Sequence, residues 1–168
     1  EAFRKAIELE PLNAVSHSNL ANILSSSKKP DERAEAIAQA RKSVELDPSY
    51  VLGHLSLGNA LLQDDQDDAA LVAWRRAVEL APTLDAAHFM IGQILLKQRK
   101  TDEALEAFQK VVEINPRNAN AYHLLSIVLS ELGRSDESLA ARRRAAEIEP
   151  GVAMRHVAVA SDLFEMKR

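Results

Sequence analysis

The side chains in this 168-residue chain whose types could do chemistry are its histidines, a run of three arginines and a cluster of four aspartates. His17, His54, His88 and His156 recur at near-regular intervals, and imidazoles that converge on one centre hold zinc. Zinc needs each nitrogen about 2.0–2.1 Å away, whereas residues on successive packed helices stand roughly 8–10 Å apart or more. The histidines are therefore expected as bulky, helix-flanking residues, with Tyr122 taking their place once. His123 has no acid or base near it in sequence that would make it catalytic. Asp64, Asp65, Asp67 and Asp68 lack the alternating ligands and closing glutamate of a calcium loop, and read as turn and helix-start residues. Arg142 to Arg144 could meet a phosphate, an acidic peptide or a membrane surface, or form the solvated side of a helix. No G-x-S-x-G, phosphate loop, dinucleotide fingerprint or H-E-x-x-H occurs, so no catalytic residue, cofactor or metal is expected.

The bulk numbers point the same way. With 46% hydrophobic and 27% charged residues the chain can bury a core, and its formal charge of −4 argues against a nucleic-acid partner. There is no cysteine to form a disulfide or a thiolate site. No stretch reaches the roughly 18–20 apolar residues of a membrane span, and the amphipathic start EAFRKAIELEP is not a signal peptide. A cytoplasmic protein is expected. From its start without methionine, the chain is expected to be a fragment or processed piece.

Position in the chain then becomes informative, because the sequence repeats. ELEP, ELDP, ELAP, EINP and EIEP end at Pro11, Pro48, Pro82, Pro116 and Pro150, at intervals of 37 and then three times 34 residues. The surplus of three falls in SSSKKPDER, which reads as a lengthened turn. Within each unit the apolar residues follow helical spacing, as in Leu20, Ile23 and Leu24 or Leu57, Ala60 and Leu61. A second helical run follows, with Asp67, Thr101 and Ser135 expected as its N-caps and proline ending it. Small residues at Ala21, Gly58, Gly92, Ser126 and Ala160 would let paired helices approach closely. The opposing column holds Phe3, Trp74 and Phe108, but Ala40 and Arg142 in the other two units. On the second helices, bases at Arg4 and Lys5, Arg41 and Lys42, Arg75 and Arg76, Lys110, and Arg143 and Arg144 precede Glu8, Glu45, Glu79, Glu113 and Glu147 by about one turn. These are expected to form a solvated, ion-paired face.

A 34-residue helical hairpin with SLGNALL or MIGQILL on its first helix, Ala70 and Trp74 or Ala104 and Phe108 on its second, and a closing proline resembles the tetratricopeptide repeat. The resemblance covers the chain as one all-α solenoid, an α-α superhelix of helical hairpins. Residues 1–13 are the second helix of a truncated repeat and 14–50 a repeat with a lengthened turn. Residues 51–84, 85–118 and 119–152 are further repeats, and 153–168 a terminal first-type helix.

The resemblance implies that the first helices line a concave groove, whose residues follow from helical spacing. Those expected to bind a peptide or helix of a partner protein are Asn19, Asn22, Leu52, Leu55, Ser56, Asn59, Phe89, Met90, Gln93, Lys97, Asn120, His123, Leu124 and Ile127. Val15, Ser18 and Ala86 are expected to face the groove with them, as are Met154, Val157, Ala158 and Ser161 in the last helix. Two specialised subclasses fit poorly. The positions of a carboxylate clamp, which needs Lys, Asn, Asn, Lys and Arg, are Ser18, Asn22, Ser56, Ala86 and Met90. The asparagine ladder of O-linked N-acetylglucosamine transferase repeats, to which AVSHSNLANIL is similar, holds Asn19 and then breaks at Ser56, Met90, Leu124 and Ala158. The expectation is a non-catalytic protein-interaction scaffold with no nucleic-acid or membrane partner, able to self-associate. The alternative is a substrate-presenting arm of a larger enzyme such as a glycosyltransferase or sulfotransferase.

Overall fold

The computed structural model describes residues 2–150, and among these every regular element is an α-helix. In chain order they are α1 (Ala2–Leu9), α2 (Ala14–Ser25), α3 (Pro30–Leu46), α4 (Val51–Gln63), α5 (Asp67–Leu80), α6 (Asp85–Lys97), α7 (Thr101–Ile114), α8 (Ala119–Glu131) and α9 (Ser135–Ile148). The fold class is that of an all-α helical-repeat solenoid. Two compact units divide at Met90 and Ile91, within α6. The expected terminal helix at 153–168, with His156, Ala160 and the groove residues from Met154 to Ser161, lies outside the described residues.

In the first unit, α2 pairs with α3 and α4 with α5, and α4 also packs on α2 and α3. The α4–α5 hairpin closes on a glycine and an aromatic ring. Trp74 and Gly58 are both buried, and a Cβ added to Gly58 would come within 2.6 Å of indole Cε2. The ring occupies the volume that a side chain would need, so only hydrogen fits there. Trp74 Nε1 is buried against this backbone with no acceptor in reach, so the indole serves here as bulk.

The α2–α3 hairpin has Ala21 and Ala40 in the same columns, both fully buried. Hydrogen bonds supply what the missing ring does not. Ser43 Oγ donates to the Ala14 carbonyl at 2.8 Å, and His17 Nδ1 lies 2.6 Å from Gln39 Oε1. The surplus of three residues in this repeat does not sit in the turn, as the sequence led us to expect. It lengthens the helix: α3 has 17 residues where α5, α7 and α9 have 14. Pro30 at the first helical position is compatible with this, since its missing N–H would have had no intrahelical partner.

The second unit repeats the arrangement. A Cβ on Gly92 would meet Phe108 Cε1 at 2.8 Å, with Phe108 fully enclosed. Helix α8 packs on α7 and α9. Arg142 is exposed on α9, in the column where Trp74 and Phe108 are enclosed. Ser138 Oγ instead ties the α8–α9 hairpin to the Ser126 carbonyl at 2.7 Å.

The turns inside the hairpins also correct an expectation. Asp67, Thr101 and Ser135 are the first residues of their helices, while the capping positions are Gln66, Lys100 and Arg134, which form no side-chain cap. What organises these turns is the end of the preceding helix. Asp65, Arg99 and Gly133 adopt positive φ (57°, 61° and 74°). The following N–H groups of Gln66, Lys100 and Arg134 return to the carbonyls of Leu61, Leu95 and Leu129 at 2.9–3.0 Å. That six-residue closure with a left-handed residue satisfies the last helical carbonyls. Side-chain caps occur on first helices instead: Asn13 accepts from the Val15 and Ser16 N–H groups, and Asn118 from that of Ala121.

Candidate interaction surface

The first helices of the first unit lie side by side because small hydroxyl residues line their contact. Ser18 Oγ and Ser56 Oγ are 2.7 Å apart, and each also reaches the Leu52 carbonyl, at 3.3 and 2.8 Å. Both serines are buried, so Ser18 and Ser56 do not face the groove as helical spacing had placed them. Spacing identifies the inner half of a helix. It does not say how much of that half the next first helix covers, and here two serines permit a close approach.

Beyond this seam the surface opens. Val15 and Asn22 on α2 and Leu52 on α4 are exposed, while Asn19, Leu55, Asn59, Phe89 and Met90 are half-buried. A depression of about 320 Å³ is lined by Ser25, Ser26, Asn59, Leu62, Gln63 and Met90. It thus brings together Asn59 and Met90 from the expected set. The four others were missed, although Ser26 and Gln63 each lie one helical turn beyond an expected asparagine, Asn22 or Asn59.

In the second unit, Gln93, Lys97 and Asn120 are exposed, and His123, Leu124 and Ile127 are half-buried. An open depression of about 440 Å³ combines Gln93, Lys97 and Leu124 with Leu96, Arg99 and Glu131, which the sequence reading did not include. Its rim is charged: Arg99 Nη1 lies 3.7 Å from Glu131, and Thr101 Oγ1 reaches the same carboxylate at 3.5 Å.

The histidine column has a structural use that spacing alone did not reveal. Nε2 of His17, His54 and His88 each donates to the carbonyl of Pro11, Pro48 and Pro82, in every case at 2.9 Å. Each ring thereby satisfies a carbonyl just after the preceding helix, a group that proline's break in the ladder leaves open. Among the described residues no three His, Asp or Glu side chains are placed to hold a metal ion.

The basic columns form the ion-paired face expected of them. Lys42–Glu45, Arg76–Glu79, Lys110–Glu113 and Arg144–Glu147 are three-residue pairs at 2.6–2.9 Å, all on exposed side chains. Arg4, in the neighbouring column, reaches across to Glu35 on α3 at 2.6 Å. The Arg4 guanidinium is held above its ordinary pKa by this hydrogen bond and charge.

Charge is distributed unevenly between the two kinds of helix. Helices α2 and α4 contain no Asp, Glu, Lys or Arg over 25 residues, whereas α3 and α5 contain twelve over 31. The sequence already carried this signal, which a search for motifs passes over. Among the described residues no helix is long and apolar enough to cross a membrane.

Comparison with known proteins agrees with this architecture. Two models of the tetratricopeptide repeat match, one over residues 86–118 and the other over 2–35 and 107–140, together more than half of the chain. A solved structure of MamA is 25% identical, with a TM-score of 0.80 over 91% of this chain and 88% of that one. A MamA structure from Desulfovibrio magneticus RS-1 is 18% identical, with a TM-score of 0.75 over 88% and 82%, and so speaks for the fold alone. YrrB, described as a TPR protein with an unusual peptide-binding site, is 27% identical, with a TM-score of 0.56 over 94% and 98%. No curated protein has a matching sequence. From the period, the glycine–aromatic hairpins and these matches, the chain belongs to the tetratricopeptide repeat family.

Proposed function

We propose that this protein is a non-catalytic scaffold whose first helices bind a polypeptide segment of a partner. The observation that carries the reading is the apolar surface left open on those helices. Val15 is 46% and Leu52 50% exposed, one on α2 and the other on α4. Met90 borders the depression at the opposite, C-terminal end of the same two helices. Apolar side chains facing water are a natural place for a partner to make contact, since covering them is favourable. Leu52, Leu55, Phe89 and Met90 would supply the apolar contacts, and Asn19, Asn22 and Asn59 would hydrogen-bond the segment's backbone. In the second unit, Leu124 and Ile127 would play the apolar part, with Gln93, Lys97, Asn120 and His123 as polar contacts. The similarity to YrrB, whose description names a peptide-binding site, supports the reading.

The test uses peptides selected from a random displayed library on the whole chain. Replacing Phe89 and Met90 together by alanine should weaken the selected peptides by about tenfold or more, corresponding to at least ~1.4 kcal/mol. Helical content checked by circular dichroism should be retained. Unchanged affinity in this variant and in Leu52→Ala would remove the proposed anchors.

A further inference from the structure

We infer that the first unit selects a partner segment that is uncharged across its contact, with aliphatic side chains on one flank and amide or hydroxyl side chains on the other. The inference rests on the groove reading above and adds the chemistry of the partner. Burial alone does not account for the lack of charge on α2 and α4, because Val15, Asn22, Leu52 and Gln63 are exposed positions where a charge would be solvated. The exposed positions of α3 and α5 include many charges, such as Arg41, Glu45, Arg75 and Glu79, beside the apolar Ala34, Ala38, Ala69 and Val72. An uncharged yet open face can accept a segment without stripping water from an ion, whereas a charged segment would lose hydration there with no counter-ion on α2 or α4 in return.

The two helices also share a polarity gradient. Ser18 meets the Leu52 carbonyl and Ser56 near one end, and Ser25 and Ser26 line one depression with Asn59, Leu62 and Gln63 at the other, so α2 and α4 run in register. At the N-terminal end both present an aliphatic residue, Val15 and Leu52. Seven residues on, roughly 10 Å along the axis, both present an amide, Asn22 and Asn59. A segment lying across α2 and α4 therefore meets an aliphatic pair and, roughly 10 Å away, an amide pair with Ile23 exposed beside it.

The experiment selects peptides of about sixteen residues from a random displayed library on the whole chain, then re-measures each on Leu52→Glu, Asn59→Lys and Met90→Ala. Peptides that depend on these positions should be poor in Asp, Glu, Lys and Arg. Their affinity should change less than about twofold between about 50 mM and 500 mM NaCl, a range over which exposed ion pairs are strongly screened. Selection repeated on Asn59→Lys should bring acidic peptides forward. If the peptides that depend on these positions are highly charged and weaken about tenfold or more with salt, the inferred chemistry is wrong and the groove reading stands. If no selected peptide depends on Leu52, Asn59 or Met90, the groove reading falls and the inference with it.

Discussion

The first and second helices of each hairpin are made from different vocabularies. Second helices put their charges outward in three-residue pairs, such as Arg76 with Glu79 and Lys110 with Glu113, and bury alanine and an aromatic ring inward. In the first unit, the first helices use serine and glycine where they touch neighbours and leave valine, leucine and asparagine facing outward. The paired charges solvate the protein and contribute little energy, since exposed pairs are worth about 0–1 kcal/mol. The uncharged faces have no such solvating role. The contrast separates the surface that keeps the molecule in water from the surface proposed to take a partner.

The contrast depends on the joint between the two helices, and breaking that joint should have the largest effect. Trp74→Ala removes a fully enclosed ring and should destabilise the fold by about 3–5 kcal/mol, read from the denaturation midpoint. Trp74→Phe should cost far less, because Phe108 serves the same purpose at its own glycine and the unpartnered indole N–H is lost.

Next in size, Leu52→Glu places the chemistry of a second helix on a first helix. It should weaken a selected neutral peptide by about tenfold or more, or ~1.4 kcal/mol, in a direct binding titration, with the denaturation midpoint little changed because the side chain is half-exposed. Smaller again is the turn that joins the helices. Arg99→Gly replaces a residue at φ 61° with one that occupies that region without a Cβ clash, as Gly133 does one repeat later. It should raise stability by about 0.5–1 kcal/mol, seen as a higher midpoint.

The smallest effects belong to the charged surface. Arg76→Ala should shift stability by no more than about 0.5 kcal/mol. Acid should act in the same weak manner. The carboxyls of Glu32 (bonded by Lys29 and Ser27), Asp47 (bonded by Ser49) and Glu137 (bonded by Arg134) are held below their ordinary range. A lowered folded-state pKa means that their contribution is fully present at neutral pH and is lost as the pH falls through the carboxylate range. A gradual decline in thermal midpoint below about pH 4.5 is expected, with none between pH 6 and 8 from these groups.

Much of this was legible in the sequence, for reasons that can be named. Prolines at a fixed period and glycine opposite an aromatic fix the hairpins, because each admits one local arrangement. Gly58 against Trp74 and Gly92 against Phe108 are where the spacing put them. Contacts that depend on tilt and separation were less legible. Ser18 and Ser56 were assigned to the open face because helical spacing gives an angle around one axis and says nothing of the neighbouring axis. The three extra residues of the first full repeat were assigned to a turn by composition, yet Pro30 can start a helix and α3 takes them up. The expected caps at Asp67, Thr101 and Ser135 failed because the left-handed closure at Asp65, Arg99 and Gly133 shifts the start of the helix by one residue. Arg4 reaches Glu35 on an adjacent helix, a contact that spacing along one helix does not give.

Amide hydrogen exchange of the whole chain, with and without a saturating peptide selected on it, tests most directly whether the uncharged first helices are the binding surface. The account predicts slowed exchange concentrated in α2, α4 and the first turns of α6, with α3 and α5 unchanged on their charged faces. Slowing concentrated in α3, α5 and α7, with α2 and α4 untouched, would contradict it.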